Sequence, residues 1–257
     1  MHFFKRILKE PEPDPEVKEV VREERRSKQR FALGPKFPLK TVLNLDAREK
    51  SGAPMGHSRH GWNWKGRLLD CSELGARMQF NAAFNAAKGD AGGLHLELEG
   101  FELLLPCRIS NLKEEGGGII FGLKYEITDP AIANAYRQLL EIVALGATLK
   151  PHSRKTKPDE SGYIVEQYAS DWQSRLTIWR DPADKEMTAF EFLLKDCLVR
   201  GAQEQELQYL DGTDAATARP ASDVKAAEIH RLFRWVTPNL PPAVPADVRE
   251  FLQYFAG

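Results

Sequence analysis

The chain shows two kinds of hydrophobic pattern, and the change comes at Asp129. Before that residue, apolar and polar side chains alternate in short runs, as at Leu94, Leu96 and Leu98. A period of two indicates β-strands that bury one face. Glu99-Gly100 and the run 113–118 interrupt the alternation as hairpin turns do. The predicted strands are 37–45, 62–69, 75–80, two strands joined at Glu99-Gly100 within 94–112, and 118–127.

A helix is predicted directly after these strands. Asp129 is a favourable N-cap residue, and Pro130 suits the first helical position. Gly146 can end the helix. A polar, basic segment, 147–162, follows and is predicted to be a linker between domains. The apolar positions that recur at helical spacing and predict a core-facing stripe are Ile132, Tyr136, Leu139, Leu140 and Val143.

Residues 163–257 carry a second set of strand and helix patterns. Ser222 can cap a helix, and a last helix is predicted over 246–255. An antiparallel sheet with two helices on one face is an α+β module. This stretch contains no familiar catalytic motif, so we expect no enzyme activity. The predicted strands are 163–168, 173–179, 187–194 and 204–210.

Composition narrows the classes of function. The 257 residues are 42% hydrophobic, which is enough for a buried core, and their formal net charge is −1. A protein that binds nucleic-acid polymers usually carries a basic excess, so we do not expect one here. Any site for a polyanion must therefore be a local cluster of cations.

Cysteine and histidine spacing gives no indication of a metal site. Cys71, Cys107 and Cys197 lie far apart and predict neither a zinc site nor a disulfide framework. His57 and His60 lack further ligands nearby, so we expect no metal. No run of 18 apolar residues predicts a transmembrane span, and the N-terminus has no apolar signal region. We expect a cytoplasmic protein.

The first candidate binding motif is the arginine cluster within residues 22–30, which includes Arg25, Arg26 and Arg30. A guanidinium group is planar and permanently charged, and it matches a phosphate or the O6/N7 edge of guanine with two parallel hydrogen bonds. Several arginines in a short segment therefore suit a compact polyanion that also carries purine bases. Alternatively, these arginines pair with neighbouring glutamates on a solvated helix.

The second candidate motif is Asp70-Cys-Ser72-Glu-Leu-Gly75. Asp70 can accept hydrogen bonds from the N1–H and N2–H₂ groups of guanine, and the Ser72 hydroxyl can bond a base or a phosphate. Gly75 would permit a positive φ and a close approach of the backbone to a ligand. Alternatively, the segment is an Asx-type turn that closes a hairpin.

Together the two motifs resemble the PilZ family, as Arg26-x-x-x-Arg30 followed by Asp70-x-Ser72-x-x-Gly75. The resemblance covers about 22–146 and includes the strand near 118–125 and the helix after it. It implies a six-stranded β-barrel that binds the bacterial second messenger cyclic di-GMP. Arg26 and Arg30 would hold phosphates and guanine edges, Asp70 and Ser72 would bond a guanine, and Gly75 would leave room for it.

Two further features follow from the same resemblance. In the family, the residue before the arginine pair influences ligand number, and an arginine there, as Arg25 is, favours a stacked pair of nucleotides. The spacer between the motifs is longer than expected, since 46–61 reads as an inserted loop.

The expected protein is mainly β, with a PilZ-like β-barrel and terminal helix followed by a smaller antiparallel-sheet α+β domain. The expected parts are a tail or helix at 1–21, the barrel domain at 22–146, the linker and the domain at 163–257. The implied function is a bacterial receptor for cyclic di-GMP that changes conformation or partner binding, with the second domain passing on the signal or forming a homodimer. The alternatives are a PilZ-fold adaptor that binds no nucleotide, and an enzyme with its site in 163–257.

Overall fold

A computed structural model of the chain describes residues 29–45, 63–81, 86–115, 118–154 and 157–257. The predictions for the tail at 1–21, for Arg25 and Arg26, and for the loop 46–61 with its two histidines lie outside these residues. Strands contain 46% of the described residues and helices 23%, which agrees with the mainly β prediction.

The described elements are fifteen strands, three α-helices and one 3₁₀ turn at Thr237–Asn239. The helices are α1 (Pro130–Ala147), α2 (Asp223–Val236) and α3 (Ala246–Ala256). The strands are β1 (Phe31–Ala32), β2 (Lys40–Leu45), β3 (Asn63–Lys65), β4 (Arg67–Ser72), β5 (Gly75–Phe80), β6 (Ala91–Leu98), β7 (Phe101–Glu115), β8 (Gly118–Tyr125), β9 (Lys150–Arg154), β10 (Ile164–Ser170), β11 (Ser174–Arg180), β12 (Met187–Leu194), β13 (Cys197–Ala202), β14 (Gln208–Asp211) and β15 (Arg219–Pro220).

The chain divides into two compact units. Of the described residues, the first unit contains 29–30 and those between 40 and 140, and the second contains 31–39 and those from 141 onward. The division falls within α1, close to the predicted end of the barrel domain. None of the helices in the described part of the chain combines the length and the apolar character that a membrane span requires.

Seven antiparallel strands of the first unit follow the order β4-β5-β8-β7-β6-β2-β3. The two outer strands of this order, β3 and β4, are consecutive in the chain and separated only by Gly66. The Gly66 amide donates to the Thr41 carbonyl of β2 at 3.3 Å, and the Gly66 carbonyl accepts from the Thr41 hydroxyl. The sheet is therefore curled into a half-barrel.

The alternating residues form the core of this sheet as predicted. Leu94, Leu96 and Leu98 are fully buried, and Leu105 on β7, which pairs with Leu94, is fully buried too. The predicted hairpin turn at Glu99-Gly100 is confirmed, and both residues have positive φ, 45° and 86°. The predicted strand at 75–80 coincides with β5, whereas the one at 62–69 is divided at Gly66 and continues to Ser72.

The predicted start of α1 is also confirmed. The Asp129 carboxylate accepts a hydrogen bond from the Ala131 amide at 2.7 Å, and Pro130 is the first helical residue. Tyr136, Leu139, Leu140 and Val143 are buried, as the helical spacing indicated.

The second unit contains a seven-stranded antiparallel sheet in the order β15-β14-β13-β12-β11-β10-β9. The sequence predicted four of these strands but missed β13, because Cys197-Leu-Val199 is an apolar run without alternation. The strand predicted at 204–210 begins only at Gln208, since Glu204 has a positive φ of 60° in the preceding turn. Strand β9 forms inside the segment predicted to be a linker.

Both predicted C-terminal helices are present and pack against this sheet. The Ser222 hydroxyl accepts from the Lys225 amide at 3.4 Å and caps α2. The ring of Phe190 stacks on Phe233 of α2, with centroids 5.9 Å apart, and meets Phe251 of α3 edge-on. The face of the sheet that carries Phe190 is therefore covered by helices.

We expect Gly75→Ala to destabilise the first unit. An added Cβ at Gly75 would lie 2.0 Å from the Leu123 carbonyl oxygen, so β5 and β8 must separate. Overpacking of this kind costs about 1–3 kcal/mol of unfolding free energy. The matched control is Gly93→Ala, whose Cβ would meet only the tip of the Leu104 side chain. Urea denaturation followed by tryptophan fluorescence measures both variants, and equal midpoints would contradict the prediction.

Candidate functional site

A β-bulge places Asp70 directly opposite Arg77. In the β4–β5 hairpin, Leu68 pairs with Met78 and Asp70 pairs with Arg77, so Leu69 is an extra residue on β4. A bulge of this kind changes the direction of the side chains that follow it. The turn of the hairpin consists of Glu73 and Leu74 alone.

The Asp70 carboxylate binds two guanidinium groups, one on each oxygen. Arg30 donates from Nε and Nη2 to Oδ1 at 2.7 and 2.6 Å, and Arg77 donates from Nε and Nη2 to Oδ2. The Asp70 side chain is only 7% exposed, whereas those of Arg30 and Arg77 are 45% and 57% exposed. Two cations on one anion leave a local charge of +1, and the exposed part of the cluster is cationic.

The structure brings together one residue from each predicted motif. Arg30 reaches Asp70 across 40 positions of sequence. Arg77 was not predicted as a site residue. In the alternating pattern of β5 it occupies a polar, outward-facing position, and the pattern does not distinguish it from other such positions. The signal that could have found it is the short hairpin turn, which brings an arginine on β5 close to the aspartate on β4.

Ser72 is buried and its polar groups are bonded within the chain. Its hydroxyl donates to the Gly75 carbonyl at 3.1 Å, and its own carbonyl accepts from the Tyr136 hydroxyl at 2.9 Å. The Tyr136 hydroxyl also lies 3.2 Å from that of Tyr125. Burial raises the pKa of both tyrosines well above the usual value, so both hydroxyls stay neutral. Ser72 thus joins the hairpin to α1.

Gly75 does not have the backbone conformation that the sequence suggested. Gly75 does not adopt the positive φ that a glycine permits, since its φ lies outside the left-handed region. The missing side chain instead lets the Leu123 carbonyl of β8 approach β5. The space that a Cβ would take is therefore filled by the protein's own backbone.

The cluster of Arg30, Asp70 and Arg77 lies in a part of the chain that matches a known domain family. Residues 22–144 match the model of the PilZ domain. The chain contains a PilZ domain. This match confirms the family predicted from the two motifs, and the rest of the chain matches no family.

The solved structures that are similar to this chain include the following three PilZ-domain or c-di-GMP-bound proteins. The PilZ domain of YcgR from Escherichia coli, with c-di-GMP, is 12% identical with a TM-score of 0.35, over 45% of this chain and 88% of that one. The PilZ domain of CeSA from a cellulose-synthesizing bacterium is 17% identical with a TM-score of 0.31, over 43% and 93%. The PlzA protein of Borreliella burgdorferi, in complex with c-di-GMP, is 10% identical with a TM-score of 0.30, over 80% and 94%. No curated protein matches the chain.

Among the residues that the structure describes, no three His, Cys, Asp or Glu side chains come together as metal ligands.

Cys71 directly follows Asp70 in β4 and is buried. Desolvation raises the pKa of its thiol to about 12, and the negative charge of Asp70 adds to this shift. Cys197 in the second unit is also buried, with its thiol pKa raised to about 12 mainly by desolvation. Both thiols are therefore protonated at neutral pH.

We expect Cys71 and Cys197 to resist alkylation in the native protein. With a pKa of about 12, roughly one thiol in 10,000 is ionised at pH 8, and the thiolate is the reactive form. Iodoacetamide labelling at pH 8, with peptide mass spectrometry, measures this. The control is the same protein in urea, where exposure restores an ordinary pKa and labelling proceeds. Rapid labelling of either native cysteine would contradict the prediction.

Proposed function

We propose that the chain is a bacterial receptor for cyclic di-GMP, with the ligand at the Asp70 cluster of the PilZ domain. The supporting observation is that Arg30 of the first motif and Asp70 of the second are in contact, with Arg77 as a second cation. A compact dianion with two guanine bases suits this pattern of charge and hydrogen-bond donors.

The proposed mechanism begins with the two arginines held by Asp70. Each guanidinium has five N–H donors, of which two point to the carboxylate. Three donors on each arginine are left for phosphate oxygens or for the O6/N7 edge of guanine. Because Asp70 fixes the guanidinium plane in advance, an arginine that stays on Asp70 loses little side-chain entropy when the ligand binds.

Recognition of a guanine by Asp70 itself requires an exchange of partners. Both carboxylate oxygens are occupied, so one guanidinium must move from Asp70 to the ligand. Arg30 is the better candidate, because Arg77 lies within β5 whereas Arg30 precedes β1. Ser72 would likewise exchange its bond to Gly75. Arg25 and Arg26 complete the proposed set of ligand residues.

The energy of such contacts is sufficient for a signalling receptor. A good bidentate arginine contact contributes about 1–3 kcal/mol of discrimination. A micromolar dissociation constant corresponds to about −8 kcal/mol. Two or three arginine contacts together with base stacking reach that range.

The number of strands in the barrel is also part of the proposed receptor. We infer a six-stranded barrel in which β3 and β4 count as one strand bent at Gly66. Its supporting observation is that this strand pairs with β2 on one side of Gly66 and with β5 on the other.

We also propose that the receptor is cytoplasmic. Its C-terminal part would pass on the signal through a protein partner or a second copy of the chain.

A second candidate function is an adaptor that binds no nucleotide. The observation that favours it is that Asp70 and Ser72 already have partners within the chain. A PilZ domain closed in this way would act through protein contacts. Saturable binding of cyclic di-GMP to the purified full chain would reject this candidate.

We expect Arg30→Ala to weaken cyclic di-GMP binding at least tenfold. The substitution removes a guanidinium from the site and leaves Asp70 with Arg77 alone. Isothermal titration calorimetry of the full chain measures the dissociation constant. The matched control is Arg137→Ala, an exposed arginine on α1, which should bind as wild type does. Unchanged affinity in Arg30→Ala would remove this residue from the site.

We expect Arg77→Lys to weaken binding almost as much as Arg77→Ala. Lysine keeps the positive charge but lacks the planar set of N–H groups, two of which Arg77 directs to Asp70 Oδ2. If geometry rather than charge matters at this position, both variants lose at least fivefold in affinity by the same titration. Wild-type affinity in Arg77→Lys, with loss only in Arg77→Ala, would show that charge alone is needed.

A further inference from the structure

The second unit contains a cavity of about 620 Å³ on its sheet. It lies on the face opposite the one that α2 and α3 cover, because residues alternate between faces along β12. The ring of Phe190 stacks on Phe233 of α2, whereas the side chains of Ala189 and Glu191 alternate with it and lie on the other face. All three residues line the cavity. This cavity belongs to neither predicted motif and lies outside the PilZ domain.

A row of polar side chains crosses the cavity in register. Thr177 on β11 pairs with Glu191 on β12, which pairs with Arg200 on β13, which pairs with Gln208 on β14. Adjacent strands are about 4.8 Å apart, so these groups form a line about 14 Å long. The line is longer than a purine base, so the edge of one base can meet two neighbouring groups in it.

The neighbouring row provides an aromatic surface with open space beside it. Trp179 is half-buried and pairs with Ala189, which in turn pairs with Ala202. The two alanines are too small to cover the cavity next to the indole. A flat ring could lie over them and stack on or against Trp179, an interaction that contributes about 1–3 kcal/mol for a nucleobase.

The polar row combines an acceptor and a donor side by side. Glu191 is 8% exposed, and its Oε2 accepts from Arg200 Nε at 2.8 Å. Arg200 also donates from Nη2 to the Ala215 carbonyl at 3.2 Å, which fixes its plane. Guanine presents N1–H and N2–H₂ donors next to its O6 acceptor, so a carboxylate beside a guanidinium is complementary to that edge. Adenine presents an acceptor at N1, which a carboxylate repels.

The charge of the cavity favours a neutral ligand. Its charged lining residues are Arg175, Arg200, Glu191 and Glu206, and their formal charges cancel. A neutral site with one aromatic surface suits a base or nucleoside better than a polyphosphate. We propose that this cavity is a second binding site, specific for a guanine base and separate from the Asp70 cluster.

The test is calorimetric titration of the full chain with guanosine, which has no phosphate, and with adenosine as the matched base. We expect guanosine to bind with 1:1 stoichiometry and a dissociation constant below about 1 mM, which corresponds to about −4 kcal/mol. Adenosine should bind at least tenfold more weakly. No saturation with guanosine, or equal binding of adenosine, would overturn the proposal.

Variants assign the binding to this cavity. Glu191→Gln and Trp179→Leu should each weaken guanosine binding at least tenfold, whereas Glu186→Gln, an exposed glutamate outside the cavity, should leave it unchanged. Thermal unfolding checks that each variant is folded, and wild-type affinity in a folded Glu191→Gln protein would overturn the base assignment. Guanosine should also bind Arg30→Ala normally. Loss of binding there would place guanosine at the Asp70 cluster and reject the second site, whatever the outcome for cyclic di-GMP.

Discussion

The described part of the PilZ domain depends on one buried carboxylate held between two guanidinium groups. Asp70 has almost no contact with solvent, and a carboxylate in that position is costly unless it is paired. Two arginines on separate oxygens satisfy it and leave excess positive charge at the surface. The same contact therefore stabilises the hairpin and leaves a cationic surface, which is where we propose that the ligand binds.

The sequence could predict those strands and helices whose signals lie within a few neighbouring residues. Alternation and turn residues identified the strands around Leu94–Leu105 and the start of α1, because each signal lies within a few residues. Strand β13 was missed because both sides of an apolar run are buried, and such a run has no period to detect. The break at Gly66 arises from pairing with Thr41 on another strand, which no local pattern contains.

The same distinction applies to the candidate site. The two motifs predicted that Arg30 and Asp70 share one site, and the structure places them in contact. Arg77 could not be identified, because its role depends on the bulge at Leu69 and therefore on register rather than residue type. Gly75 was identified as a residue that permits a positive φ and a close approach to a ligand, whereas in the structure its missing side chain makes room for the carbonyl of Leu123 on a neighbouring strand.

The position of Asp70 between its two partners also has a consequence for the order of folding. Asp70 and Arg77 are seven positions apart within one hairpin, whereas Arg30 and Asp70 are 40 positions apart. Closing the longer loop costs about 1.5 kcal/mol more in chain entropy. Contacts that are local in sequence form early, so the hairpin acquires its own ion pair first and the N-terminal arginine docks onto a nucleus that already exists.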